Sequence, residues 1–140
     1  MQLRFATQHV EWFPDGRKNA LLLPALSVDQ YQEVPGGPWR LRDDGYAHGK
    51  PVTAVRYAAM GCVIEEGGIL PLRSLVTHET VQVQVTGIRM VEVDDLGDQD
   101  LRELGYTTRD EYWKCGGWFL AGQIGWFLSA TLASRVPVLH

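Results

Sequence analysis

Metal-ligating and basic side chains are scarce in this chain. Its two cysteines, Cys62 and Cys115, form no CxxC pattern or Cys/His ligand spacing, and its four histidines are scattered. We therefore expect no metal site and no cofactor, and free buried thiols rather than a disulfide framework. The N-terminus has no basic segment followed by an apolar run of signal-peptide length, so we expect a cytoplasmic location.

Basic charge is also in deficit, with 13 Lys and Arg against 17 Asp and Glu and a formal net charge of -4. This balance argues against a protein that coats nucleic acid by charge alone, because such binding requires many cations facing phosphates. Residues 1–90 are balanced, whereas residues 91–140 are acidic. Any basic surface must therefore come from the first two-thirds of the chain.

Long hydrophobic runs are limited to one uncharged stretch, Gly116–Ala133, of 18 residues. A membrane anchor is the alternative that this stretch raises. It barely reaches the minimum span and contains Gln123, Ser129 and four glycines. A buried loop followed by a core strand explains the same composition, so we predict that the protein is not in the membrane.

The remaining composition is typical of a globular protein, with 45% hydrophobic and 21% charged residues. A chain of 140 residues can bury a core of its own. We therefore predict a single domain spanning residues 1–140. We find no internal repeat and no low-complexity segment.

The strand signals outnumber the helix signals. Thr80–Thr86 alternates valine with polar residues, the period of two of a half-buried strand, and Gly87 permits a bulge before Ile88–Val93 continues. Composition predicts further strands at Met1–Ala6, Asn19–Leu26, Pro51–Met60 and Ile124–Leu132. We expect Ser27–Lys50 to be mostly irregular, since it contains a Pro-Gly-Gly-Pro loop.

Two short helices are predicted, which gives an α+β class. Asp98–Leu104 has acidic residues in its first turn and Gly105 as its C-terminal stop. Thr108–Glu111 has the pattern of a capping box that opens a second helix. His9–Phe13 is typical of a helical turn leading into the turn Pro14–Gly16.

Several segments together resemble the ASCH family of the PUA-like superfamily. They are the turn Asp15–Lys18 (DGRK), the turn and strand from Gly49, residues 85–113 (VTGIRMVEVDDLGDQDLRELGYTTRDEYW) and residues 125–132 (GWFLSATL). These segments cover about half of the chain in the family's order. The resemblance implies a small PUA-like, ASCH-type β-barrel with short helices packed on its ends, a fold associated with RNA and modified nucleosides.

One branch of that family is an amidohydrolase acting on N4-acetylcytidine through a lysine, a threonine three residues later and a glutamate on a central strand. Carried over to this chain, the lysine falls on Lys18, the threonine on Leu21 and the glutamate on Gln84. Leucine supplies no nucleophile and glutamine exchanges no proton near neutral pH. Lys18 is therefore the single catalytic candidate that the resemblance leaves.

We therefore predict a module that binds RNA or a modified nucleoside in a pocket at the barrel mouth. The predicted ligand-binding residues are Arg17, Lys18, Gln82, Gln84, Arg56 and Tyr57. Glutamine amides can bond a base edge, and aromatic rings beside basic residues suit an RNA surface.

Two alternatives stay open. The first is a hydrolase of the amidohydrolase or ribonuclease type with rearranged catalytic residues, for example with Asp15 or Thr53 near Lys18. The second is a protein-interaction domain that has lost the pocket and presents an apolar patch around Trp118–Trp126 to a protein partner. The oligomeric state is left open.

Overall fold

A large mixed β-sheet, a small antiparallel β-sheet and two short helices make up the computed structural model, which describes residues 3–5, 13–14, 16–42, 49–74, 80–114 and 122–136. The strands are β1 (Leu3–Phe5), β2 (Ala20–Pro24), β3 (Gln30–Gln32), β4 (Arg40–Leu41), β5 (Pro51–Val52), β6 (Ala54–Tyr57), β7 (Cys62–Glu65), β8 (Ile69–Ser74), β9 (Thr80–Glu92) and β10 (Ile124–Val136). A 3-10 turn (Val93–Asp95) and the helices α1 (Asp98–Glu103) and α2 (Arg109–Lys114) lie between β9 and β10.

The large sheet has the strand order β1-β8-β9-β10-β2, with β5 also paired to β9, and the small sheet has the order β4-β3-β6-β7. All pairings are antiparallel except the one between β1 and β8. The predicted α+β class is confirmed. The pairings described here do not join the two sheets into a closed ring, so the predicted barrel stays a prediction.

The strand β9 is the centre of the large sheet and carries the alternation expected of it. Val81, Val83 and Val85 are fully buried, while Gln84 faces the other side and is exposed. The register with β10 shifts between the pairs Val85↔Ala130 and Gly87↔Ser129, which is the predicted bulge. Because a bulge adds one residue, the buried face continues at Ile88 and Met90, and both halves of the strand face the same core.

The main core lies between the two sheets. Tyr31, Val55 and Ile64 from the small sheet pack in one cluster with the buried valines of β9. Trp126 of β10 is fully buried in it, and its indole N–H donates to the buried carboxylate of Asp29 at 2.8 Å. Burial of this tryptophan agrees with the predicted core strand at the end of the chain.

The helices pack against the opposite face of the large sheet. Leu101, Leu104 and Tyr112 form a second apolar cluster with Ala20 of β2 and Phe127 of β10. The predicted stop of α1 is confirmed, since Gly105 has φ 102, a left-handed conformation that glycine adopts without strain. The two faces of the large sheet thus carry separate cores.

The start of α2 is close to the predicted capping box but differs in one contact. The Thr108 hydroxyl accepts the N–H of Glu111 at 3.1 Å, as expected of an N-cap. The Glu111 carboxylate, however, accepts the N–H and hydroxyl of Thr107, at 3.3 and 2.6 Å, and also pairs with Arg17. The carboxylate therefore ties three segments together rather than closing the box on Thr108.

The prediction for Ser27–Lys50 is corrected in part, because β3 and β4 lie within it. Both strands are too short to show an alternation of their own. They become strands by pairing, β3 with β6 and β4 with β3. The predicted helical turn at His9–Phe13 falls largely outside the described residues.

Across the residues that the structure describes, no helix combines the length and the apolar character needed to cross a membrane.

Candidate functional site

A cleft of about 650 Å³ opens on the outer face of the small sheet. Its size is in the range of sites that hold small molecules. The lining residues are Gln32, Pro35, Gly36, Thr53, Ala54, Glu65, Glu66 and Gly67.

The floor of the cleft is one row of residues across three strands. Gln32 of β3 pairs with Ala54 of β6, and Ala54 pairs with Glu65 of β7. Paired residues in a sheet point to the same side, so these three side chains share the outer face. The small side chain of Ala54 leaves the space between the longer side chains of Gln32 and Glu65.

The polar groups of the floor are held by local hydrogen bonds. The side-chain amide of Gln32 donates to the carbonyl of Gly37 at 2.7 Å, which ties the Pro-Gly-Gly-Pro loop to the cleft. The Thr53 hydroxyl donates to the backbone carbonyl of Gln32 at 3.2 Å. Each group keeps acceptor capacity, since an amide oxygen and a hydroxyl oxygen both have lone pairs.

The turn between β7 and β8 forms one wall and links the two sheets. Gly68 N–H donates to the carbonyl of Glu65 at 3.0 Å, and Gly67 N–H donates to the carbonyl of Val85 in β9 at 2.6 Å. Gly67 has φ 86, in the left-handed region that favours glycine. The turn thereby fixes Glu65 and Glu66 beside the cleft.

The chemistry of the cleft is that of an acceptor-rich site. The carboxylates of Glu65 and Glu66 are solvent-exposed and accept hydrogen bonds without donating any. Such a site favours a ligand that offers N–H or O–H groups and disfavours a phosphate in contact with it.

A stacked pair of side chains lies on the same face of the small sheet. The Arg56 guanidinium is 4.0 Å from the centre of the Trp39 ring, and one of its nitrogens donates to the Gln30 side chain at 3.0 Å. Arg56 follows Ala54 by two residues in β6, so both point outward. The predicted ligand residue Arg56 therefore lies next to the cleft, with Trp39 as a partner.

The other predicted residue of β6, Tyr57, faces the opposite way. It is 4% exposed and belongs to the core between the sheets. Burial raises the pKa of its phenol to about 12, and Asp29 and Cys62 add to the rise. Tyr57 therefore packs in the core against the inner face of the small sheet.

The two predicted glutamines lie on the outer face of β9. Gln84 is exposed and its side-chain amide donates to the carbonyl of Gly67 at 3.3 Å, so it touches a residue that lines the cleft. Gln82 is partly buried, two residues earlier on the same face. Gln84 therefore contacts the turn that walls the cleft, but neither glutamine is among the residues that line it.

Lys18 and Arg17 lie elsewhere, against the helices. The Lys18 ammonium is buried and donates to the carbonyl of Leu104 at 2.8 Å, at the end of α1. Arg17 donates to the carbonyl of Gly105 at 2.7 Å and forms an ion pair with Glu111. Leu104 belongs to the helix-side cluster, so Lys18 and the cleft are on opposite faces of the large sheet.

The environment of Lys18 lowers its pKa to about 7, first because burial disfavours the charged form and second because Arg17 is also cationic. A lysine of this kind is chemically a candidate base. Leu21, at the position of the family's threonine, is 1% exposed in the core between the sheets. Lys18 thus has a lowered pKa, but the strand that follows it, β2, supplies no nucleophile beside it.

Sequence reasoning missed the cleft residues Gln32, Glu65 and Glu66 and named Thr53 only as a neighbour of Lys18. One signal was available. Two adjacent glycines, Gly67 and Gly68, separate the apolar segments of β7 and β8, a pattern that marks a turn between strands. The pairing of β3 with β6 left no comparable signal.

Within the described ranges, no three His, Cys, Asp or Glu side chains come together in a way that could hold a metal ion. His9, His48, His78 and His140 fall outside those ranges.

Comparison with known proteins gives one fold-level result. No family model and no curated protein matches the chain. Among solved structures, the chain is similar to protein EF3133 from Enterococcus faecalis V583, which is described by the family model DUF984. The TM-score is 0.54 at 8% sequence identity, over 100% of this chain and 85% of that one. At this identity the likeness is one of fold alone.

Proposed function

We propose that this chain binds a nucleoside, or an unpaired base of RNA, in the cleft on the outer face of the small sheet. The observation that carries the proposal is the cleft itself, about 650 Å³ in volume and walled by Glu65, Glu66, Gln32 and Thr53. A few polar groups converging on a pocket of this size are typical of ligand sites.

The polar groups of the cleft match the donors of a nucleoside. A base offers amino or imino N–H groups and a ribose offers hydroxyls, and the carboxylates of Glu65 and Glu66 accept from both. Hydrogen bonds to charged acceptors are about twice as strong as neutral ones. The two glutamates would therefore provide most of the discrimination between ligands that offer N–H or O–H donors and ligands that do not.

The neighbouring pair Trp39–Arg56 gives the site its second part. A guanidinium stacked on an indole is a flat cationic surface, and Arg56 lies two residues from the cleft floor on the same strand. In an RNA ligand, Arg56 would contact the phosphate next to the bound base, outside the acidic cleft. A free nucleoside would leave Arg56 unused.

For the fold, we propose that the two sheets are those of a PUA-like, ASCH-type domain. The support is the family's order of elements, with the turn at Lys18, the strand β9, the two helices and the strand β10 in sequence. A cytoplasmic setting is part of the same proposal, and it agrees with Cys62 being a free thiol.

The two alternatives from the sequence gain less support. Amide hydrolysis through Lys18 would need the ligand on the helix side of the large sheet, whereas the cleft is on the other side. The apolar patch expected around Trp118–Trp126 loses Trp126, which is fully buried, while Trp118 lies outside the described residues.

Calorimetric titration with cytidine, N4-acetylcytidine, uridine, adenosine and guanosine, and with a short single-stranded RNA, tests the proposal. Glu65→Gln should lower the affinity of the best ligand about tenfold or more, because it removes a charged acceptor. Asp95→Asn, an exposed change on the helix side, is the matched control and should leave the affinity unchanged. No binding by the folded protein at low salt, or equal loss in both variants, would refute the proposal.

Chromatography of the N4-acetylcytidine sample after incubation adds a second readout. The proposal expects the nucleoside to be recovered intact. Appearance of cytidine would instead support the hydrolase alternative.

A further inference from the structure

A second, smaller cavity of about 170 Å³ lies on the helix side of the large sheet, separate from the cleft. It opens between the 3-10 turn and α2. Its lining residues are Val93, Asp94, Arg109, Tyr112 and Trp113.

The Tyr112 hydroxyl is the unexplained group of this cavity. Tyr112 is 6% exposed, and its hydroxyl has no hydrogen-bond partner among the described residues. The aromatic ring of Tyr112 has a packing role, because it lies edge-on against the ring of Tyr106 with centroids 5.3 Å apart. A phenylalanine would make that contact equally well, and a buried hydroxyl without a partner costs free energy.

Two opposite charges flank the hydroxyl. The Asp94 carboxylate accepts the N–H of Gly122 at 3.1 and 3.0 Å, and Arg109 donates to the carbonyl of Leu96 at 2.5 Å. Burial raises the pKa of Tyr112, Asp94 raises it further and Arg109 opposes the rise. The phenol therefore stays protonated at neutral pH and is available as a donor.

The surroundings indicate what kind of ligand would fit. The charges of Asp94 and Arg109 offset each other, which favours a neutral ligand over an ion. Trp113 is 51% exposed and offers a flat aromatic wall, and Val93 adds a buried apolar side chain to the lining. A planar, neutral ring that carries both an acceptor and a donor meets all of these conditions.

We propose that this cavity binds a neutral cyclic amide, with its carbonyl accepting from the Tyr112 hydroxyl, its ring N–H donating to Asp94 and its ring lying against Trp113. Uracil is the simplest such molecule and serves as the probe. The site is independent of the cleft, and the failure of either one leaves the other untouched.

Thermal unfolding and calorimetry of the wild type and Tyr112→Phe, with and without uracil, test the proposal. Without uracil, Tyr112→Phe should unfold at a higher temperature, because it removes a buried hydroxyl that lacks a partner. With uracil, the wild type should be stabilised, and Tyr112→Phe should bind uracil about tenfold more weakly. The probe 1,3-dimethyluracil, which has no N–H, should bind neither protein measurably.

Glu65→Gln is the control for the cleft and should bind uracil at this second site as the wild type does. Equal affinity of the wild type and Tyr112→Phe for uracil would overturn the proposal, as would absence of uracil binding to protein shown to be folded by circular dichroism. Lower stability of Tyr112→Phe without uracil would also overturn it, because the hydroxyl would then already have a partner.

Discussion

Lys18 is a residue whose chemical interest the sequence indicates but whose position in the fold the sequence does not reveal. The sequence marks Lys18 as chemically special through its turn and its family resemblance. Its hydrogen-bond acceptor, the carbonyl of Leu104, is 86 residues away along the chain. No local pattern encodes that contact, and the resulting burial explains why a predicted ligand contact anchors a helix end instead.

The perturbed lysine predicts a pH dependence of stability. Its pKa is about 7 in the folded protein against an ordinary 10.5, so the unfolded chain binds a proton that the folded chain releases between these values. The free energy of unfolding should therefore rise as pH increases from about 7, by up to about 5 kcal/mol over the full interval. Below pH 7 both states are protonated and this contribution no longer changes.

Urea unfolding between pH 7 and 9.5 checks this slope. Lys18→Met should remove it, while Lys114→Met, a change at an exposed lysine paired with Asp110, should keep it. Comparison of the variants cancels the titration of other groups such as Cys62, whose pKa burial raises. Identical slopes in the wild type and Lys18→Met would show that the ammonium is not desolvated.

Among the elements, the β9–β10 ladder was predicted best because its strands are long. Alternating valines located β9, and Gly87 located the bulge. The cleft was missed because β3, β4 and β7 have two to four residues each and are defined by pairing rather than by periodicity. Short strands leave no period to detect, so the floor of the cleft is a tertiary feature.

Gly125 and Gly87 of the β9–β10 ladder differ in how much space is available for a side chain at their positions. A Cβ on Gly125 would lie 2.8 Å from Leu22 Cδ1 and 3.2 Å from the carbonyl oxygen of Leu23, both in the neighbouring strand β2. A Cβ on Gly87 would meet only the Cβ of Ser129, at 3.9 Å. Gly125→Ala should thus lower the free energy of unfolding by about 1–3 kcal/mol, because β10 must move away from β2.

Gly87→Ala is the matched control and should be nearly neutral in the same urea titration. The expected neutrality agrees with the backbone of Gly87, which does not have the positive φ that would require glycine. A large loss of stability in Gly87→Ala, or none in Gly125→Ala, would contradict the close approach of β2 and β10.

At the scale of the whole molecule, the charge distribution predicts different salt dependences for the binding of a free nucleoside and of RNA. The chain carries a net charge of -4, its cleft has two carboxylates, and Arg56 provides the cation beside them. Binding of a free nucleoside should therefore be almost independent of salt. Single-stranded RNA should lose affinity with a slope of only about −0.7 for each phosphate neutralised, so one or two contacts predict a slope no steeper than about −1.5.

Titrations of one RNA at several salt concentrations measure that slope directly. Arg56→Ala should make it shallower by about 0.7, since one phosphate contact is lost, while the affinity for a free nucleoside stays the same. A slope several times steeper, unaffected by Arg56→Ala, would mean that RNA binds through many cations on another surface. In that case RNA would contact this acidic protein somewhere other than the cleft. Glu65 and Glu66 repel phosphates more strongly at low salt than at high salt, so binding at the cleft would not weaken steeply as salt is added.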